Sequence, residues 1–438
     1  MKIFKPMAFA LILSFTLLLS GCSLLSTGDE LLKAPEAGGE VSEIKEALDS
    51  LVSGKYTLKY PTDGQYRSAI VRYDLTGDGK DEAIAFYSTL QENITQMHVA
   101  VLTEKNGKWQ ASKDAETLAS GVEQVQFCDL NSDGLSEILV GWNVVGNVDK
   151  QVSVYSFDGS ILLPRAEEKY TEFLCCDLNT DQKNELLLLH LNTTEAAASA
   201  RLLELTENGI NEVASTLMDG TVASYFGVTL AKLMDGKTAV FADGKKGNGA
   251  TTEIIYLAGD TLVNPLFDPQ TGKNLTERPF NDGIFDINGD GSPDIPVHIV
   301  APGFDSAAEG DREYITKWCS YSGKALVVNK TAITDIADGY YIEIPKGLQD
   351  KITLLTSTDG KVKTVSLYDA KKNQKTDVLF KIKETLKKEW KEENGWIKAA
   401  ETETLIISVQ ASSYKGEYSR SAEEIARSVI LMKEGESK

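Results

Sequence analysis

Histidine is almost missing from this chain: His98, His190 and His298 are the three present among 438 residues. No HExxH, GxSxG or phosphate-loop sequence occurs, so the common signatures of zinc peptidases, α/β-hydrolases and P-loop enzymes are absent. His190 and His298 fall in strand-like segments, where a lone histidine is expected to pack rather than catalyse. Cysteine is also sparse. Besides Cys22 there are Cys128, Cys175, Cys176 and Cys319, with no CxxC pair. Cys128 and Cys176 hold equivalent positions in a repeat and are expected to pack as small apolar residues; a disulfide stays open for an exported protein. Basic residues are outnumbered, 45 against 65 acidic, for a net charge of −20. That sign, with no basic stripe bearing interleaved aromatics, argues against nucleic acid as a partner. The one long apolar run, Met7 to Leu19, is short for a membrane span.

Acidic residues, by contrast, are gathered in four short loops: Asp74-Leu-Thr-Gly-Asp-Gly-Lys-Asp-Glu82, Asp129-Leu-Asn-Ser-Asp-Gly-Leu-Ser-Glu137, Asp177-Leu-Asn-Thr-Asp-Gln-Lys-Asn-Glu185 and Asp286-Ile-Asn-Gly-Asp-Gly-Ser-Pro-Asp294. Hard cations such as calcium need roughly six to eight oxygens, several from carboxylates. Positions 1 and 5 are Asp in every loop: Asp74 and Asp78, Asp129 and Asp133, Asp177 and Asp181, Asp286 and Asp290. Position 3 offers a neutral oxygen from Thr76, Asn131, Asn179 or Asn288, and position 9 an acid, Glu82, Glu137, Glu185 or Asp294. Position 7 (Lys80, Leu135, Lys183, Ser292) needs only a backbone carbonyl. Gly79, Gly134 and Gly291 at position 6 permit a sharp turn; the third loop has Gln182 there and is expected to be the weakest site.

An EF-hand needs a bidentate Glu at position 12 and helices on both sides. Position 12 here is Ala85, Val140, Leu188 or Val297, and the flanking segments alternate as strands. The loops therefore join strand to strand. That pattern resembles the FG-GAP repeat of integrin alpha-subunit propellers and the related VCBS repeats of bacterial surface proteins. The resemblance spans about residues 66–330. It implies a propeller blade hairpin holding structural Ca2+, with Glu at position 9 and Gln182 as departures that make the sites unequal.

The loops start at residues 74, 129, 177 and 286, and the last interval is about twice the others. A hidden copy is predicted near residue 231, where Ala231-Lys-Leu-Met-Asp-Gly-Lys-Thr-Ala239 keeps Asp235-Gly236 but has lost the other oxygens. Periods of this length point to propeller blades of about four strands. The residues before the loops, Tyr73, Cys128, Cys176, Leu230 and Phe285, are expected to face a core. Lys55 to Tyr60 is expected to be a strand closing the first blade onto the last. Trp109, Trp142 and Trp318 are expected in the core, with a binding face as the other reading.

At the N-terminus, Lys2 and Lys5 precede the apolar run, and Leu19-Ser-Gly-Cys22 resembles the lipobox of bacterial lipoproteins. The resemblance implies lipidation at Cys22 and anchoring at the extracytoplasmic face of the cell membrane. Residues 23–54 read as a tether and a short helix, with apolar residues at 41, 44, 48 and 51. The expected fold class is mainly β: a propeller-like repeat domain of about five blades over residues 55–335, then a small α+β domain over 336–438. In the latter, a charged helix is expected from Glu384 to Glu392 and a final one from Ala422 to Leu431, opened by a Ser421/Glu424 capping box. The expected function is a lipid-anchored binding protein on a calcium-stabilised scaffold, not an enzyme, with an unidentified protein or carbohydrate ligand. The alternatives are a propeller-type carbohydrate-active enzyme, which requires a carboxylate pair outside the metal loops, and an envelope assembly factor.

Overall fold

The computed structural model describes residues 39–91, 94–144 and 150–432; the expected signal segment, Cys22 and the expected tether up to residue 38 lie outside them. No described helix is long and apolar enough to cross a membrane. The fold is mainly β, built from several antiparallel sheets. It divides into two compact units, one of residues 39–59, 69–117 and 159–162, the other of 60–68, 118–158 and 163 onward.

The first unit is a six-stranded sheet covered by the helix Gly39–Leu51. Ile44 and Leu48, one turn apart, are buried against Ala83, Ala85, Tyr87, Ala100, Leu102 and Trp109. Small side chains on the sheet let the helix approach closely. The strand Tyr56–Leu58 pairs within this sheet, Tyr56 opposite Thr89, and so does not close the first repeat onto the last as expected.

The second unit holds three four-stranded sheets, the first strands of which are Gly121–Cys128, Glu172–Cys176 and Ser224–Lys232. The third of these sheets carries the hidden copy: a tight turn links Ser224–Lys232 to Thr238–Lys246, closed by Gly236 N donating to Leu233 O at 2.8 Å. Leu230 is 41% exposed, against expectation, because the strand Ser224–Lys232 keeps most of its side chains only half covered. Trp142 and Trp318 are fully buried and Trp109 nearly so, which places all three in the core rather than on a binding face.

Two five-stranded sheets and a two-stranded hairpin, Phe267–Asp268 with Lys273–Asn274, complete the unit. The first five-stranded sheet runs Ile295–Val300, Tyr314–Tyr321, Leu326–Asp335, Tyr340–Glu343 and Val429–Leu431, and so continues across residue 335. The second comprises Ile352–Thr356, Val362–Asp369, Gln374–Leu386, Leu405–Ala411 and Ile397–Glu401. These two sheets share one core containing Ile333, Tyr340, Ile352, Val365, Ile382 and Ile407. The expected helix from Glu384 is instead the end of the strand Gln374–Leu386, with Glu384, Thr385 and Leu386 opposite Ile407, Ile406 and Leu405. Sheet pairing with an apolar neighbour overrides the helix-forming charge pattern. The final helix stops at Arg427, and Val429–Leu431 leaves it to pair with Tyr340–Glu343. Its capping box, Ser421 with Glu424, is formed as expected.

Candidate functional site

All four acidic loops close with the same hydrogen bonds. The position-2 N–H donates to the position-9 carboxylate: Leu75 to Glu82, Leu130 to Glu137 and Leu178 to Glu185 at 2.9 Å, and Ile287 to Asp294 at 3.1 Å. The position-6 N–H donates to the position-1 Asp, from Gly79, Gly134, Gln182 and Gly291 to Asp74, Asp129, Asp177 and Asp286, at 2.8–3.0 Å. The position-7 N–H of Lys80, Leu135, Lys183 and Ser292 donates to Asp78, Asp133, Asp181 and Asp290 at 2.8 Å. The residue before each loop pairs with position 9: Tyr73 with Glu82, Cys128 with Glu137, Cys176 with Glu185, and Phe285 with Asp294. Position 3 is turned inward. The Thr76 hydroxyl meets Glu82 at 3.4 Å, Asn131 and Asn288 donate to Asp133 and Asp290 at 3.0 and 2.9 Å, and Asn179 accepts from the Asp181 N–H at 2.8 Å.

The position-9 acids are buried, and burial raises the carboxyls of Glu82, Glu137, Glu185 and Asp294 above their ordinary range, Glu185 to about 7. Two observations bear on a cation. Asp129 Oδ1 is buried with no hydrogen-bond partner. Asp177, Asp181 and Glu185 each bring one oxygen within 4.8 Å of the others, in the loop expected to be weakest. An orphaned carboxylate oxygen and converging acidic oxygens are the donor chemistry a hard cation takes, so the residues fit one.

Cys128 and Cys175 form a disulfide, with Cα atoms 6.3 Å apart, while Cys176 and Cys319 are free and buried. The expectation that Cys128 simply packs is corrected. The strand Glu172–Cys176 turns alternate residues to opposite sides, so the vicinal Cys175, not Cys176, reaches Cys128.

A cavity of about 420 Å³ lies elsewhere in the second unit, and Phe280, Asp282, His298, Arg312, Tyr314 and Asp335 are among its walls. Its wall residues Asp282 and His298 belong to a buried polar network. Arg278, fully buried, pairs through Nε with Asp282 at 3.0 Å and through Nη2 with Asp243 at 3.2 Å. His298 Nε2 lies 2.6 Å from Asp282 Oδ2, and its Nδ1 lies 3.2 Å from the Thr316 hydroxyl. Buried charges held in pairs are the arrangement that limits desolvation cost. The rings of Phe280 and Tyr314 meet edge to face with centroids 5.3 Å apart. His98, in the first unit, is buried, with Nδ1 2.6 Å from Asp114 and Nε2 2.8 Å from the Thr89 hydroxyl.

Asp335 on the cavity wall belongs to a second acidic group. Asp335, Asp338 and Glu384 each place one oxygen within 4.8 Å of the others. Lys363, which also lines the cavity, lies 2.7 Å from Asp335 Oδ2 and bonds Glu384 as well. Ile336 and Ala337 form part of this cavity and of a neighbouring one that Asp338 lines. Burial, then the charges of Asp335 and Glu384, push the Asp338 carboxyl up to about 6. Sequence reasoning found none of Arg278, Asp282, Asp335, Asp338, Lys363 or Glu384 as site residues. They lie outside any spaced motif, and strand pairing alone brings Glu384 beside a turn some fifty residues earlier.

No family model matches the chain, and no curated protein matches it. Among solved structures it is similar to a Bacillus licheniformis rhamnogalacturonan lyase, at 13% identity over 74% of this chain and 77% of that one, TM-score 0.32. An exotype rhamnogalacturonan lyase gives 10% identity over 84% and 91%, TM-score 0.31. An exo-beta-1,3-galactanase from Phanerochaete chrysosporium gives 11% over 75% and 79%, TM-score 0.26. Each of these structures is an enzyme, so the expectation that the chain is not an enzyme is withdrawn. At such scores the likeness carries nothing about substrate or mechanism.

Proposed function

We propose that this chain is a carbohydrate-active enzyme on a calcium-braced, propeller-like repeat scaffold, anchored through a lipid on Cys22 at the extracytoplasmic face of the membrane. The observation that carries the reading is the carboxyl group of Asp335, Asp338 and Glu384, which stands outside the four loops and beside the cavity. Glycoside cleavage by the two-carboxylate route needs one protonated acid and one ionised partner. Asp338 is the acid, because its surroundings hold its proton to about pH 6. Glu384 is the partner carboxylate, held in place by Lys363 and the Tyr340 hydroxyl, which both bond it. Asp335 holds Lys363 in place. Asp338 protonates the glycosidic oxygen as the bond breaks while Glu384, with an oxygen within 4.8 Å, attacks the sugar; water, deprotonated by Asp338, then hydrolyses the glycosyl ester and frees Glu384. Phe280 and Tyr314 offer ring faces and edges to a sugar.

In this reading the loop residues hold Ca2+ as structural ligands, through the position-1, -5 and -9 carboxylates, and the ion supplies only charge neutralisation and rigidity. With free calcium about tenfold above a site's constant, each site adds about 1.4 kcal/mol.

The test is release of reducing sugar from a panel of polysaccharides by the native protein and by Asp338→Asn and Glu384→Gln. Each variant is expected to lose about 100-fold or more in rate with an unchanged Tm. Full activity in either variant, or no product from any polysaccharide, refutes the reading. Chelation is expected to lower Tm, and Asp129→Ala to reduce that calcium response.

A further inference from the structure

The cavity's hydrogen-bonding groups are unevenly spent. Every carboxylate on its wall already has both oxygens engaged. Asp282 is taken by Arg278 and His298. Glu313 accepts from the Thr356 N–H through Oε1 and from its hydroxyl through Oε2. Asp335 accepts from the Asp338 N–H and from Lys363. Lys363, the other wall cation, divides itself between Asp335 and Glu384.

The donors are different. Arg312 spends only Nε, on the carbonyl of Ala307 at 3.2 Å, and neither of its Nη atoms has a partner among the described residues. The Tyr314 hydroxyl and the Asn281 amide also line the cavity without a described hydrogen bond. A neutral sugar presents hydroxyls that both give and take hydrogen bonds, and its sites ordinarily supply acceptors as well as donors. Tyr314 and Asn281 can accept as well as donate, so what sets this wall apart is its unpaired planar cation, whose two Nη atoms match the two oxygens of a carboxylate or two of a sulfate.

We propose that the cavity takes a saccharide bearing an anionic substituent, a carboxylate or a sulfate, seated on the guanidinium of Arg312 and assisted by the Tyr314 hydroxyl. The inference rests on the reading of this cavity as a saccharide site and specifies its substrate class. The overall charge of −20 repels such a ligand at long range. Screening confines that repulsion to about 8 Å at physiological ionic strength, so the contact inside the cavity decides the selectivity.

Calorimetric titration of the full protein with three oligosaccharides of equal length, one an oligouronate, one sulfated and one neutral, tests this. One anionic arm is expected to bind at least about tenfold more tightly than the neutral one. Arg312→Gln is expected to abolish that preference, and Arg312→Lys to restore part of it, a point charge replacing the fork. Which arm binds distinguishes carboxylate from sulfate. Equal affinity for neutral and anionic arms, no binding in any arm, or an anionic preference that survives in a folded Arg312→Gln protein overturns the proposal; should that variant fail to fold, the native comparison of the three arms decides. Turnover measured in the same mixtures separates the two readings. Asp338-dependent cleavage of neutral glycan alone sinks the anion site and keeps the enzyme. Selective anion binding without cleavage of any glycan does the reverse.

Discussion

Asn264 donates its side-chain N–H to Glu253 Oε1 at 2.7 Å, and the two oxygens left over, Glu253 Oε2 and Asn264 Oδ1, are buried without partners. Both are acceptors, so a proton on the carboxyl is the change that converts one into a donor. Burial raises Glu253 to about 7, against the lowering effect of the Asp219 N–H and Asn264. An unfolded Glu titrates near 4.3. Between those values the native state holds more protons than the unfolded one, so this residue makes stability fall as pH rises from about 4.3 to 7 and has no further effect above. Glu253→Gln keeps the hydrogen bonds without the charge. Urea unfolding at pH 5, 6, 7 and 8 is expected to show a shallower decline and a gain of about 1 kcal/mol at pH 8. Parallel curves for variant and parent would contradict this account.

The Cys128–Cys175 disulfide closes a loop of 47 residues between two sheets. The chain-entropy model gives about 4 kcal/mol for such a loop. A Cys128→Ser/Cys175→Ser protein is expected to lose about 2–4 kcal/mol in denaturant titration, and reduction of the parent to do the same. The remaining thiols are held unreactive by burial, which pushes Cys176 up to about 12 and Cys319 up to about 11.

Gln182 sits at φ +72° where the other loops have glycine at +83°, +90° and +84°. A side chain in that left-handed region costs about 1 kcal/mol. Gln182→Gly is expected to raise the denaturant midpoint by a corresponding amount without changing the m-value. The reverse change, Gly134→Gln, is expected to lower it.

Asp338 works as an acid only while protonated. With its carboxyl raised to about 6, kcat/KM on a cleaved glycan is expected to fall as pH rises through about 6. Glu384→Gln removes a neighbouring negative charge and is expected to move the Asp338 titration downward. Carbon-13 NMR of labelled Asp carboxyls checks this even where the variant has lost turnover.

What the sequence made legible was local. The strand–loop–strand reading of the acidic loops followed from apolar position 12, and the structure keeps one register across all four, with position 9 opposite the residue before the loop. The Ser421/Glu424 cap and the helix ending at Leu51 also depend on residues within a turn or two. The charged run from Glu384 misled, because its partner strand Leu405–Ala411 lies twenty residues away and no local signal announces it. The cavity was invisible for the same reason. Asp282, Arg312, Asp335 and Lys363 come from separate strands and turns, and only sheet register sets them on one wall.

The position-9 carboxylate closes each loop by itself, through the N–H of position 2. The turn is therefore closed by the chain's own groups, and its two strands stay joined whatever the remaining loop oxygens do. The copy around Asp235 keeps the strand-to-strand hairpin without those acids, and there Lys237 pairs with the Asp235 carboxylate.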